Sequence, residues 1–287
     1  MDAALDESAI AAHLQCSGRA WKVHALDSTA STNMLVKDAI AADVPEGYVV
    51  AALQQAAGYG RQGRSWVSPY GGLYFSVLLR PAVPVCQAPS IGPALSFAVR
   101  ETLAEYALNP DEVLIKWPND VICPDGKLCG MSCEYVDHAF CIGVGINLFH
   151  PERAVDVAGK NTPAYMADMM NPALQQSLDG ARLQLHPAVS GERLEGSQVR
   201  MMERILVSVL ESIGTVYDLW RARGFAALRD RYESHAALLG TRVTVAAVDN
   251  KVLAAGTVAG IDSNGCLLLH TADGVCTPIA SGEIHLL

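Results

Sequence analysis

The stretch 58-GYGRQGRSW-66 packs three glycines, two arginines and a tryptophan into nine residues. It contains a literal G-x-G-x-x-G, and its context decides the fold. A β-rich run, 46-EGYVVAALQQ-55, precedes it. The following 64-RSWVSPYGGLYFS-76 carries a proline and leads into another β-rich run. No helix N-terminus is available to receive a pyrophosphate, so a dinucleotide-binding fold is excluded. A strand–loop–strand context suits a protein-kinase glycine loop better, but H-R-D, D-F-G and V-A-I-K are all absent. What remains is a glycine loop between two strands. Its glycines let the backbone approach an anion, Arg61 and Arg64 flank it, and Trp66 offers a flat face for a base. With no anion between them the arginines repel, so the loop is expected to fold over its ligand.

A second polar segment, 116-KWPND-120, has similar ingredients. It ends the apolar run 112-EVLIKW-117 with a proline that stiffens the turn. Trp117 reads as a core residue. Asn119 and Asp120 read as functional, because an aspartate beside a lysine at the end of an apolar strand is costly without partners. Lys127, in 125-DGKLCGMSCEY-135, lies close enough in sequence to be a candidate for charge stabilisation.

Working outward, 21-WKVHAL-26 reads as a strand and 31-STNMLVKDAIAAD-43 as a helix capped by Ser31 or Thr32. Residues 89–108 have helical spacing, with Ile91, Leu95, Val99, Leu103 and Tyr106 on one side. Four short strands follow, the last two pairing through a turn at Asp137 and His138. Between 150 and 196 the pattern weakens, and an irregular insertion is expected. A strong amphipathic helix covers 197–220, and a second helix is expected over 225–238. From Gly240 onward, short β runs alternate with Asp-Asn, Ser-Asn-Gly and Ala-Asp-Gly turns. The expected fold is α+β: a mixed sheet with helices over residues 1–239 and a small all-β barrel or meander over 240–287.

A chain of 287 residues with 51% hydrophobic content buries roughly three quarters of its unfolded surface and needs no disulfide or metal staple. Its net charge of −9 disfavours nonspecific binding to nucleic acid or anionic lipid. The acidic start is unlike a secretory signal, and no apolar run reaches membrane-spanning length. A cytoplasmic location is the default. The eight cysteines form no C-x-x-C pair and are expected as buried thiols. Cys129, Cys133, His138 and Cys141 fall in alternating strand-like runs, against a zinc site.

The ordered set STN (31–33), Q-x-x-G-x-G-R-x-G-R-x-W-x-S-P (55–69), LYFS (73–76), KWPNDV (116–121), GKLCGMSCE (126–134) and GVGINL (143–148) resembles the biotin–protein ligases. The resemblance is tight over residues 20–150. It extends loosely to the C-terminal module, where the family carries an SH3-like barrel. It implies a biotin site at Ser31, Thr32, Asn33, Gln55, Gly58, Tyr59, Gly60, Arg61 and Lys127. It implies ATP contacts at Arg64, Trp66, Lys116, Asn119 and Asn147. Asn119 and Asp120 would hold Mg²⁺, and Lys127, Asp120 and Arg61 would serve catalysis. The implied reaction joins biotin to ATP as biotinyl-5′-AMP, then passes biotin to a lysine of carboxylase acceptor domains. Homodimerisation is left open.

The sequence departs from the family at Tyr59, where arginine is common, and at Gln62, where another basic residue is. About twenty residues precede the first strand, too few for a winged helix, so a DNA-binding repressor role is disfavoured. Two other readings compete: a ligase for lipoate or a related acyl group, and a non-catalytic binder of biotin or its adenylate.

Overall fold

The computed structural model describes residues 4–14, 19–152, 162–172, 194–247 and 251–286. Seven strands form one mixed sheet: β1 (Lys22–Thr29), β2 (Tyr48–Gln55), β3 (Gly72–Leu79), β4 (Leu114–Lys116), β5 (Asp120–Cys123), β6 (Gly126–Val136) and β7 (Ala139–Asn147). Their order is β1-β2-β3-β7-β6-β5-β4, and only the β1–β2 pair is parallel. That parallel pair needs a crossover. The helix α2 (Thr32–Ala41) supplies it, as the sequence suggests.

Strand alternation assigns the two faces. Val49, Ala51, Leu53, Phe75, Val77, Ile142, Val144 and Ile146 point into the main core. There α3 (Ile91–Tyr106) packs against the long α5 (Gly196–Arg223), with Phe97, Leu206, Tyr217 and Trp220 fully buried between them and the sheet. Helix α5 begins in a capping box between Glu195 and Gln198. On the opposite face, Val50, Leu78, Ala139 and Cys141 meet Val36, Ala39 and Ile40 of α2. Helix α2 covers only one end of that face. Beyond its N-terminus the same rows of the sheet are left for the site.

Two elements differ from the sequence reading. A helix α1 (Glu7–Leu14), absent from that reading, buries Ile10 and Leu14 and packs on α5 and β1. The helix expected over 225–238 is a 3₁₀ turn at Phe225–Ala227 followed by a short α6 (Arg229–Glu233). The chain then leaves helical geometry because edge strand β4 recruits it. The Ile115 amide donates to the His235 carbonyl (2.8 Å), and the Ala237 amide donates to the Ile115 carbonyl (2.9 Å). Pairing an open sheet edge outweighs helical propensity here. Of the 150–196 insertion, residues 153–161 and 173–193 lie outside the described residues. Its middle carries one helical turn, α4 (Met166–Met169), and Lys127 forms a parallel bridge with Pro163.

The C-terminal strands β8 (Arg242–Ala246), β9 (Val252–Ile261), β10 (Leu267–His270), β11 (Cys276–Ile279) and β12 (Glu283–Leu286) form a separate five-stranded antiparallel sheet. Hairpins at Ser263–Gly265 and Ala272–Gly274 join β9–β10–β11, and β12 returns to pair with β8. Gly265 and Gly274 take positive φ, as those turns require. No helix among the described residues is long and apolar enough to cross a membrane.

Candidate active site

Glycines in β6 and β7 make the floor of the site. In register across the sheet, Ser132 of β6 faces Gly143 of β7, which faces Ser76 of β3. One pair further along, Gly130 faces Gly145, which faces Tyr74. A Cβ on Gly143 would lie 2.3 Å from Asn33 Oδ1, and one on Gly145 would lie 2.5 Å from Trp66 Nε1. A Cβ on Gly130 would meet Lys127 Cε at 2.8 Å. The glycines thus let Asn33, Trp66 and Lys127 lie directly on the sheet.

Over this floor lies a cavity of about 380 Å³. One end is a relay of neutral hydrogen bonds. The Thr32 amide and hydroxyl both donate to Gln55 Oε1 (2.9 and 3.1 Å), and Gln55 Nε2 donates to the Ser68 hydroxyl (3.0 Å). Asn33 Nδ2 donates to the Ser132 hydroxyl (3.1 Å). The Ser76 hydroxyl lies 2.6 Å from Asn33 Oδ1 and 2.7 Å from Thr32 Oγ1, so its one proton serves either. Such a network fixes donors and acceptors in place for a small polar head group.

The other end is cationic. Lys127 Nζ lies 2.8 Å from Asp120 Oδ1 and 5.1 Å from the Trp66 ring centroid. Arg61 Nη1 donates to Asn119 Oδ1 (2.8 Å), while Asn119 Nδ2 donates to the Met131 carbonyl. Burial lowers the pKa of the Arg61 guanidinium, and Asp120 opposes that shift. Lys116 lines the same end. From the C-terminal sheet, Gly282–His285 complete the mouth. There Glu283 pairs with Arg64 at 2.8 Å, and Trp117 Nε1 donates to the Gly265 carbonyl (2.9 Å). Trp117 is a core residue, as the sequence suggests.

The loop 58–66 is a narrow hairpin with a 3₁₀ turn at Arg61–Gly63. The repulsion expected between its arginines is met by the protein's own groups, Asn119 and Glu283. Of the sequence-derived site residues, Thr32, Asn33, Gln55, Tyr59, Gly60, Arg61, Arg64, Trp66, Lys116, Asn119, Asp120, Lys127 and Asn147 all line the one cavity. Two do not. Ser31 is buried at the N-cap of α2, without a side-chain cap bond. Gly58 is packed beneath the loop, where a Cβ would strike the Ser68 hydroxyl at 2.6 Å. Asn147 Nδ2 is engaged by the Lys127 carbonyl (2.9 Å), so it also fixes the lysine's backbone.

The sequence reading gave no role to Ser76, Ser132 or Tyr165, nor to the segment Gly282–His285 that includes the start of β12. Ser76 and Ser132 carried a legible signal: the G-x-S and G-V-G alternations in strands place them and the glycines on one face. Tyr165 and β12 carried none, because distant chain segments bring them to the cavity.

A mixed sheet with a glycine loop over a half-polar, half-cationic cavity, and a β module at its mouth, defines a ligase architecture that comparison with known proteins makes specific. Residues 25–147 match the biotin/lipoate A/B protein ligase family, and residues 238–287 match the biotin protein ligase C-terminal domain. The chain belongs to the biotin–protein ligase family. It is 28% identical over 267 residues to the bifunctional ligase/repressor BirA of Bacillus subtilis, covering 91% of this chain and 72% of that protein. It is 35% identical over 158 residues to a biotin–[acetyl-CoA-carboxylase] ligase of Mycobacterium tuberculosis, covering 53% and 59% of the two. Among solved structures, the biotin protein ligase of Aquifex aeolicus in complex with biotin and ATP aligns with a TM-score of 0.65 and 26% identity, over 91% of this chain and 97% of that one.

Proposed function

We propose that this chain is an ATP-dependent biotin–protein ligase that forms biotinyl-5′-AMP and transfers biotin to a lysine of carboxylase acceptor domains. The observation that carries this reading is the single cavity that joins a neutral hydrogen-bond relay to a cationic end. Biotin has the matching polarity, with a neutral ureido head and a carboxylate tail. The Aquifex relative, bound to biotin and ATP, supports both substrates.

In the first step a biotin carboxylate oxygen attacks the α-phosphorus of ATP, and the bond to pyrophosphate breaks. Thr32, Asn33 and Gln55 hold the ureido head. Lys127 and Arg61 face the carboxylate and the charge that gathers on the α-phosphate. Trp66 covers the adenine, and Lys116 and Arg64 face the phosphates. In the second step an acceptor amine attacks the acyl carbon, AMP leaves, and the amine gives up its proton. Neither step requires a protein nucleophile. Both depend on preorganised charge and alignment.

Among the described residues no three His, Cys, Asp or Glu side chains gather around a point. The donor set fits a Mg²⁺ ion carried by the triphosphate, because such ions take one or two protein carboxylates beside phosphate oxygens. Asp120, with Asn119, would offer that contact, and the ion would neutralise charge on the departing pyrophosphate. The test is transfer of labelled biotin to a purified acceptor domain, with pyrophosphate release followed in parallel and lipoate as competitor. Neither product under saturating ATP, Mg²⁺ and biotin would sink the reading.

A further inference from the structure

A cluster beside the glycine loop has no part in the chemistry above. Lys37 of α2 forms an ion pair with Glu134 of β6, both side chains about 30% exposed. Neither residue lines the cavity. The Lys37 ammonium stands 5.2 Å from the Tyr59 ring centroid, and the Tyr59 hydroxyl interacts electrostatically with both Lys37 and Glu134. Glu134 commits Oε2 to Lys37, while its Oε1 is buried with no other partner. A buried carboxylate oxygen without a donor is costly, and the Tyr59 hydroxyl is the donor at hand. Burial alone would lower the Lys37 pKa, but Glu134 and Tyr59 together hold it above the usual lysine range.

Tyr59 sits where the loop closes. It bridges Ser65, the Trp66 amide donates to the Gly58 carbonyl (2.9 Å), and the Gly60 amide donates to the Arg64 carbonyl (2.8 Å). A tie at Tyr59 therefore fixes the base of the hairpin that carries Arg61 and Arg64. Without it, the glycines on either side leave the hairpin free to swing.

We infer that Lys37 and Glu134 are positioning residues that grip the Tyr59 hydroxyl and thereby hold the glycine loop over the cavity. The anchoring stands on the Lys37–Glu134 ion pair, the Lys37 contact with the Tyr59 ring and the partnerless Glu134 oxygen; its consequence, retention of the acyl-adenylate, rests on the ligase reading.

Limited trypsin digestion of the full chain without ligands, read by mass spectrometry at Arg61 and Arg64, tests the anchor. Lys37→Met and Tyr59→Phe should each speed cleavage about tenfold, the scale of a hydrogen bond to a charged group. The double variant should be no faster than Tyr59→Phe alone, because without the hydroxyl neither Lys37 nor Glu134 has anything left to hold. Lys37→Arg should keep most of the protection. Supplied with biotin and ATP, the two single variants should leave a larger fraction of adenylate free in solution than wild type does. Unchanged cleavage in both single variants, or additive effects in the double, would overturn the anchor. Tyr59→Phe is nearly isosteric, so it decides the matter if Lys37→Met folds poorly. A wild-type protein that makes no adenylate would defeat the ligase reading while leaving the digestion result to stand by itself.

Discussion

Lys127 and Asp120 form an ion pair at 2.8 Å at the cationic end of the cavity, both side chains about 15% exposed. The pair has two consequences in the free protein. The lysine is already fixed in position, and its charge already has a partner. On the proposed reading, a substrate carboxylate would share the ammonium with Asp120.

Lys127→Ala should therefore lower the rate of adenylate formation by ~10²–10³, the usual effect of removing one preorganised charge from a closed site. The same change leaves Asp120 without its cation, so biotin affinity should fall as well. Pyrophosphate release at saturating ATP measures the first effect and calorimetry the second. Near-normal turnover would take Lys127 out of the chemistry.

Asp120→Asn should act in the opposite sense on binding. It frees the ammonium for the biotin carboxylate, so biotin should bind as tightly as in wild type or more tightly. It also removes the carboxylate offered to Mg²⁺, so kcat should drop by about 10². Weaker biotin binding with kcat intact would contradict this arrangement.

The two β7 glycines separate the ends of the cavity. Gly143→Ala places a methyl 2.3 Å from Asn33 Oδ1 and 2.6 Å from the Ser132 hydroxyl. Displacing Asn33 breaks the relay, so biotin should bind at least tenfold more weakly, about the effect of one unsatisfied buried group. Gly145→Ala instead pushes Trp66 off the sheet. It should weaken ATP more than biotin, as should Trp66→Ala, where lost base stacking is worth roughly 1–3 kcal/mol. Titrating each variant with both substrates reads the pattern. Equal losses in the two glycine variants would mean that the cavity has no such division.

Much of this site was legible before the fold was known. The glycine loop and the K-W-P-N-D turn announce themselves because charge, glycine and proline in apolar strands are costly without a purpose. The sheet follows from strand-like runs with turn residues between them. Among the features that were not legible, three have a clear physical reason. The segment 235–237 abandons its helix because Ile115, 120 positions earlier, offers backbone partners. Glu283 reaches the cavity mouth only because the C-terminal sheet docks there, and its short run resembles any surface strand. The Lys37–Glu134–Tyr59 cluster joins three elements, and although Tyr59 stands out in the loop, Lys37 and Glu134 look like ordinary exposed polar residues in sequence.

Glu283 gives the last prediction. It pairs with Arg64 across the cavity mouth at 2.8 Å, and both side chains are at least one-third exposed. Such a pair stabilises the fold by at most about 1 kcal/mol and is weakened by salt. Its larger effect should be on nucleotide binding, because a carboxylate on Arg64 occupies the guanidinium that a phosphate would use. Glu283→Gln should then tighten ATP binding severalfold at low salt, with the gain fading as ionic strength rises. Burial alone would raise the Glu283 pKa, but Arg64 holds it below the usual glutamate range. Its pairing is therefore complete above that range and lost as pH falls through the lowered value, so at pH 7 the competition is fully present. ATP titrations of both proteins at two salt concentrations measure the difference. If Glu283→Gln weakens ATP binding instead, the C-terminal strand serves to aim Arg64 at the phosphates rather than to compete with them.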